Sequence, residues 1–342
     1  MRRALRTLVV AAMAMGLLAL FLQNVDLRGV AGEVMRARPE WLLLSLATMP
    51  LNLVLRSWRW QYLLAPLGGV TFDNVFRATA VGFAASSILP ARAGEVIRPY
   101  FLARRAKLSA TGAFATVVLE RVLDTLTVLL LLGAYVWSAG PELGSTNPVA
   151  LTAMTWAGAA TGLGALVALI VFFVLSGNPS AVGRSLERLG HVLPSKLASL
   201  VAGVAERFVT GLGAVRRPGR LIVALLLSVP LWLCICLGAW AVAQGFQLDV
   251  PFTGSFLLVA LLVIGVAVPT PGAVGGFHEA FRVGATTFFA APNQAAVGAA
   301  IVLHALSIGP HLLIGLTFAA QEGLNFSKMR QLAETPQPEQ IV

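Results

Sequence analysis

Charge is scarce in this sequence. Only 12% of its 342 residues are Asp, Glu, Lys or Arg, against about 25% in a soluble domain. Hydrophobic residues make up 57%, so polar side chains are too few to cover a water-facing surface. Cysteine is almost missing: Cys234 and Cys236 lie in one apolar run, on different sides of a helix, and imply neither a disulfide nor a metal pair. Long period-two alternation is absent, which argues against an outer-membrane β-barrel. So are G-x-S-x-G, Walker A and dinucleotide-binding glycine motifs, and His278-Glu279 continues as Ala-Phe-Arg rather than H-E-x-x-H. These absences argue against ATP-driven transport by this chain alone, and no metal or cofactor is expected. The net charge of +10 comes without an RNA-binding signature or a basic stripe interleaved with aromatics, so nucleic acid is not the expected partner.

What the sequence has instead is apolar blocks of about 20 residues, the length that crosses a ~30 Å hydrocarbon core. Spanning helices are predicted at roughly 5–22, 40–63, 113–137, 150–175, 221–244 and 296–320. The first follows Arg2, Arg3 and Arg6 and has no small-x-small cleavage site after it, so it is expected as a retained helix rather than a signal peptide. Two further apolar regions, 75–103 and 253–290, are broken by Pro90-Ala-Arg-Ala-Gly94 and by Pro269-Thr-Pro-Gly-Ala-Val-Gly-Gly276. Proline lacks a backbone donor and glycine weakens a helix, so each region divides into pieces of about 8 to 16 residues, most too short to cross. Two re-entrant helical hairpins are expected.

Loops 138–149 and 245–252 contain no Lys or Arg, whereas 176–220 holds Arg184, Arg188, Lys196, Arg207, Arg216, Arg217 and Arg220. The positive-inside rule places the N-terminus, 64–74, 104–112, 176–220 and the C-terminal tail in the cytoplasm. Loop 23–39, with Arg28, Arg36 and Arg38, must then face outward against the rule. The hairpins enter from opposite faces, and crossing, hairpin, crossing recurs in each half with opposite orientation. Residues match at an offset near 180: Pro50 and Trp60 with Pro230 and Trp240, Pro90 with Pro269, Glu95-x-x-Arg98 with Glu279-x-x-Arg282, and Leu119-Glu120 with Leu303-His304. Their shared order predicts an inverted repeat with halves at about 40–137 and 221–320, a pattern that points to transporters. Residues 176–220 read as a linker of basic amphipathic helices in the headgroup plane, and 326–342 as a disordered cytoplasmic tail. The expected fold is an all-α polytopic membrane protein of the cytoplasmic (inner) membrane. Residues 1–325 would form one transmembrane domain of about six crossings and two oppositely oriented re-entrant hairpins, with both termini cytoplasmic.

Charges inside a bilayer cost about 2.5–3.5 kcal/mol each, so they mark sites or paired networks. The first group is Arg92, Glu95 and Arg98 on the first hairpin. The second is Glu120, Arg121 and Asp124; Glu120 and Asp124 share a helix face and need a cation between them or a proton on one. Arg98 or Arg92 is the expected cation. The third is His278, Glu279 and Arg282 on the second hairpin, with His304 and His311 on the last helix. Helix N-termini at a broken hairpin suit an anion, and arginine binds phosphate bidentately. Two readings stay open for Arg92 and Arg98: a phosphate site, or neutralisation of Glu95, Glu120 and Asp124. For Arg121 the structural role is favoured. Arg56 and Arg59, flanked by Trp58 and Trp60, read as snorkelling interfacial arginines. His278, His304 and His311 read as a proton relay or as satisfied polar groups.

The chain resembles the membrane region of lysylphosphatidylglycerol synthase and the flippase-like membrane proteins related to it. The resemblance covers most of 5–325. It rests on Arg56-Ser-Trp-Arg59-Trp60, Leu89-Pro-Ala-Arg-Ala-Gly-Glu-Val-Ile-Arg98-Pro99, Glu120-Arg121-Val-Leu-Asp124 and Val268-Pro-Thr-Pro-Gly-Ala-Val-Gly-Gly276. It implies movement of a phospholipid or lipid-linked headgroup between leaflets. Two-domain members carry a soluble aminoacyl-transferase domain after this region; the chain is expected to lack it, and lipid aminoacylation is not carried over. The expected function is a lipid flippase or transporter acting on membrane lipids with a phosphate headgroup. In it Arg92 and Arg98 hold the phosphate, and Glu95, Glu120, Asp124, Glu279 and Arg282 complete the site. The alternatives are an intramembrane enzyme that modifies a lipid headgroup, and a non-transporting partner of a cell-envelope enzyme; a homo-oligomer is a further partner reading.

Overall fold

A computed structural model describes residues 15–16, 18, 21, 26–89, 92–187, 195–268 and 270–323. Most of the predicted first helix at 5–22 and the tail at 326–342 lie outside the described residues, as do Pro90, Ala91, Pro269 and 188–194 of the linker. What is described is helical.

A short amphipathic helix, α1 (Leu27–Arg36), is capped by Asp26, which accepts from the Arg28 amide. Five long helices follow at intervals: α2 (Pro39–Leu64), α5 (Ala110–Thr146), α6 (Pro148–Leu175), α9 (Pro218–Gly245) and α12 (Asn293–Gln321). Each has 26 to 37 residues, more than the ~20 that a bilayer core requires. Local sequence sets their starts. Pro39, Pro148 and Pro218 sit in the first turn, where a missing amide hydrogen costs nothing. Ser109 and Asn147 accept from the Gly112 and Ala150 amides. Among the described residues α6, α9 and α12 are long and apolar enough to cross a membrane, while α2 and α5 carry most of the buried Asp, Glu and Arg residues. The predicted spans at 40–63, 150–175, 221–244 and 296–320 coincide with α2, α6, α9 and α12, and 113–137 is the inner part of the longer α5.

The two interrupted regions are pairs of shorter helices. One is α3 (Phe72–Ile88) with α4 (Gly94–Ala106); the other is α10 (Gly254–Ala267) with α11 (Gly276–Phe289). Their 13 to 17 residues reach about 20–26 Å, short of the hydrocarbon thickness. Both pairs are antiparallel. Arg98 lies beside Gly82 and Arg105 bonds Asn74 in the first; in the second, Gly265 faces Ala280 and Gly254 faces Phe289. Both close on a glycine pair near the tip. A Cβ on Gly94 would overlap the Gly82 carbonyl oxygen, and one on Gly276 the Gly265 carbonyl oxygen, so only glycine lets the backbones approach this closely. Each tip also holds a non-glycine residue in the left-handed region, Arg92 (φ 53°) and Ala273 (φ 58°).

Helices α2 and α9 pack along each other at the centre. Asn52 donates to the Leu231 carbonyl at 3.3 Å and the Cys234 thiol to the Thr48 carbonyl at 3.2 Å, beside Pro50 and Pro230. Around this axis α3 packs on α4 and α12, α4 on α5, α10 on α11 and α5, and α11 on α12. Exchanging α2 with α9, α3 with α10, α4 with α11 and α5 with α12 turns each of these contacts into another in the set. The linker comprises α7 (Pro179–Glu187), α8 (Ser195–Gly211) and a 3-10 turn (Leu212–Arg216). It packs on α5 through α8, with Val209, Leu212, Ala214 and Val215 buried.

The glycine contacts are testable through Cys234 and Cys236, both buried free thiols. Gly94→Val overpacks the α3–α4 contact, at about 1–3 kcal/mol, and is expected to lower by several degrees the temperature at which a thiol-reactive dye labels the detergent-solubilised protein. Gly164→Val, where an added Cβ meets nothing within 4 Å, is expected to leave that temperature in place.

Candidate functional site

Polar residues on α2 recur at Ser45, Thr48, Asn52, Arg56 and Arg59, and all are buried. Their three- and four-residue spacing makes one polar stripe on a largely apolar helix. Its far end meets Glu120 and Asp124, which lie one turn apart on α5. Arg59 is fully buried and bridges both: Nη1 donates to Asp124 Oδ1 at 2.6 Å and to Ser228 Oγ at 2.7 Å, and Nη2 donates to Glu120 Oε1 at 3.0 Å. Trp232 Nε1 donates to Asp124 Oδ1 at 2.9 Å. Arg98 Nη1 reaches Glu120 Oε2 at 2.8 Å, and its guanidinium stands 3.7 Å from the Trp60 ring centre. Arg56 lies 3.5 Å from Asp124 Oδ2 with the Phe83 ring beside it. Arg121 Nη2 is 3.4 Å from the same oxygen.

Two sequence expectations are corrected here. The cation between Glu120 and Asp124 is Arg59, not Arg98 or Arg92; Arg98 pairs with Glu120 alone, and Arg92 pairs with Glu95 at 3.2 Å. Arg56 and Arg59 are not snorkelling at an interface, since they are 5% and 0% exposed. The tryptophan neighbours suggested a boundary, but Trp60 is itself buried and donates to Thr116 Oγ1. The stripe on α2 was the available signal.

Charge in this cluster does not cancel. Arg56, Arg59, Arg92, Arg98 and Arg121 face Glu95, Glu120 and Asp124, which leaves two positive charges in excess. Beside them lies a cavity of about 60 Å³, lined by Gly82, Ser86, Arg92, Gly94, Glu95, Arg98 and Arg121. Arg98 is 4% exposed, yet its Nε and Nη2 have no hydrogen-bond partner among the described residues, nor has Nε of Arg56 or Arg121. A buried donor without an acceptor costs about 1–3 kcal/mol, and more for a charged group. The amino end of α4 opens on the same cavity through Gly94 and Glu95, and a helix N-terminus favours an anion. Chemically the arrangement can hold an anion with several oxygens.

The second hairpin differs. The rings of His278 and His304 lie in contact, tilted by 42° with centres 4.3 Å apart. His278 Nδ1 accepts from the Gly275 amide at 3.3 Å, and His304 Nε2 donates to the Gly272 carbonyl at 2.7 Å. Glu279 and Arg282 pair with each other, and Arg282 Nη1 donates to Asn293 Oδ1 at 3.1 Å. His311 lies apart from the histidine pair, packing on Phe83 and donating from Nδ1 to the Ser307 carbonyl at 2.7 Å. The structure thus joins Arg98, Glu95, Glu120, Asp124 and Arg92, joins His278 to His304, and leaves Glu279 and Arg282 as a separate pair. The two tips meet: the turn at Pro271–Ala273 packs on α3, with Gly272 close to the Ser87 carbonyl.

Comparison with known proteins agrees with the helical architecture. The family described as "Lysylphosphatidylglycerol synthase TM region" matches residues 4–315. The chain is 28% identical to "Glycosyltransferase AglD" of Haloferax volcanii over 331 residues, covering 87% of this chain and 51% of that protein. It is 32% identical to "UPF0104 membrane protein MJ1595" of Methanocaldococcus jannaschii over 104 residues, covering 30% of this chain and 31% of that protein. The chain therefore spans about half the length of the haloarchaeal relative.

Removing Arg59 strands two buried carboxylates, and breaking a buried pair from one side costs about 3–5 kcal/mol. Arg59→Met is expected to lower the thiol-dye melting temperature far more than Arg92→Gln, because the half-exposed Arg92–Glu95 pair is worth about 1 kcal/mol or less. Equal effects would show that the cluster is not held through Arg59.

Proposed function

The chain belongs to the family of the lysylphosphatidylglycerol synthase TM region, and on that premise we propose that it is a lipid flippase or transporter. It moves a phospholipid, or a lipid-linked phosphate headgroup, between leaflets of the cytoplasmic membrane. The observation that carries this reading is the excess of arginine over carboxylate in the cluster, one positive charge among its buried members and two in all, beside a cavity lined by Arg92, Arg98 and Arg121, with donors of the buried Arg98 left unpartnered. A phosphate supplies the missing charge and acceptors. Arg98, Arg92 and Arg121 hold it, while Arg59 holds Glu120 and Asp124 in place behind them. The contact pattern that survives exchange of the two halves supports an inverted repeat. In it, α3–α4 and α10–α11 are re-entrant hairpins from opposite faces, and both termini are cytoplasmic. His278 and His304, joined through the second tip, are the proton-handling groups of a proton-coupled cycle.

The name of the haloarchaeal relative favours a second reading, an intramembrane role in glycosyl transfer or other headgroup chemistry. That relative is about twice as long as its matched part, so its activity need not reside in the segment shared with this chain. Lipid mass decides between the readings: an enzyme changes it, a flippase changes only the leaflet.

Full-length protein reconstituted into liposomes is expected to expose a fluorescent phosphatidylglycerol of the inner leaflet to an external quencher, with lipid masses unchanged. Arg98→Ala is expected to reduce that transfer to the protein-free rate, and Arg98→Lys, a point charge without a bidentate fork, to an intermediate one. Transfer by Arg98→Ala at the unsubstituted rate would remove the arginine cavity from the mechanism.

A further inference from the structure

A second cavity, about 310 Å³, lies between α5, α6 and α10. Its walls are aliphatic except for Thr125 and Thr161. Both hydroxyls already donate to their own helices, to the Arg121 carbonyl at 2.9 Å and the Ala157 carbonyl at 2.8 Å. The groove's lining therefore offers no free side-chain hydrogen-bond donor to a polar ligand. On α6 four of the five lining residues, Ala153, Ala157, Gly158 and Thr161, are small, Met154 being the exception. Small residues at such spacing ordinarily let helices close on each other; here the space stays open.

What identifies the occupant is where the groove begins. Arg121, Thr125, Leu129 and Leu132 follow one another at four-, four- and three-residue steps, one face of α5. Arg121 lines the arginine cavity and the next three line the groove. Arg121 at the cationic pocket and Thr125 at the largely apolar groove are thus about one helical turn apart on this face. A molecule that satisfies both carries an anionic oxygen group joined to a hydrocarbon chain. We infer that the α5–α6–α10 groove binds one hydrocarbon chain of the lipid whose phosphate occupies the arginine cavity. This rests on the proposed lipid-phosphate reading and adds to it a chain-binding subsite, one that selects the lipid by its tail. Relative to bulk lipid the gain in binding comes from position next to the phosphate, so occupancy by this chain requires the headgroup.

The test uses the full-length protein in detergent with dodecyl phosphate carrying a mid-chain photoreactive diazirine, and with the matching dodecanol probe. The phosphate probe is expected to label 125–132, 153–161 and 257–264 preferentially, and excess dodecanol not to compete. Ala157→Phe and Thr161→Phe fill the groove from exposed positions on α6, where folding tolerates them, and each is expected to cut this labelling about tenfold. Arg98→Gln should cut it similarly. Even labelling of all lipid-facing helices, labelling unchanged by Ala157→Phe, or crosslinks between two copies through this groove would overturn the assignment. Groove labelling that persists in Arg98→Gln would overturn the link between chain and phosphate. The two readings fail separately: lipid transfer lost in Arg98→Ala with normal transfer and labelling in Ala157→Phe sinks the groove alone, whereas normal transfer in Arg98→Ala sinks the phosphate reading beneath it.

Discussion

The arrangement depends on Arg59. A guanidinium has a rigid planar fork, and here its two terminal nitrogens reach Glu120 and Asp124 on successive turns of α5, with Ser228 of α9 completing the set. In a medium of low dielectric, two carboxylates one turn apart would repel strongly, and each would carry a large desolvation cost. With Arg59 between them both carboxylates are paired, and their outer oxygens are placed to orient Arg56, Arg98 and Arg121. A buried ion pair is often no more stabilising than a packed apolar core. On the proposed reading, the excess of arginine over carboxylate prepares the cluster for a ligand.

The two halves of the molecule use one scaffold for different chemistry. Each has a helix pair closed on glycines, a left-handed residue at its tip, and a long helix packed against it. In the first half the helix pair carries Arg98 against Glu120. At corresponding places in the second stand Arg282, which turns to Glu279 and Asn293, and His304, which turns to the backbone of the tip and to His278. On the proposed reading the first half supplies the anion site, and the second supplies the histidines that take or release a proton. Gly272 of the second tip lies close to the Ser87 carbonyl of the first helix pair.

Much of this was legible in the sequence. Block length and composition located α2, α6, α9 and α12, and the proline-glycine interruptions located both helix pairs, because a missing amide donor acts locally wherever the chain goes. The rarity of charge made Arg98, Glu120 and Asp124 stand out for the same reason. Partner choice was not legible. Glu120 and Asp124 show that a cation is needed, but Arg59 lies some sixty positions away on another helix, and only packing of α2 against α5 and α9 selects it. Trp58 and Trp60 suggested a membrane boundary for Arg56 and Arg59. Composition does not distinguish a belt tryptophan from Trp60, whose ring covers Arg98. The polar stripe Ser45, Thr48, Asn52, Arg56 and Arg59 carried the information, since a continuous polar face on a largely apolar helix packs inward.

The central claim is that the positive excess at this cluster is completed by a lipid phosphate. Native mass spectrometry of the protein released from mild detergent tests it directly. The account predicts a phosphate-bearing lipid retained at about one per chain, absent when Arg98 is replaced by Gln in protein that still melts as a folded species. Folded protein that carries no such lipid, or an Arg98→Gln protein that retains it undiminished, would contradict the account.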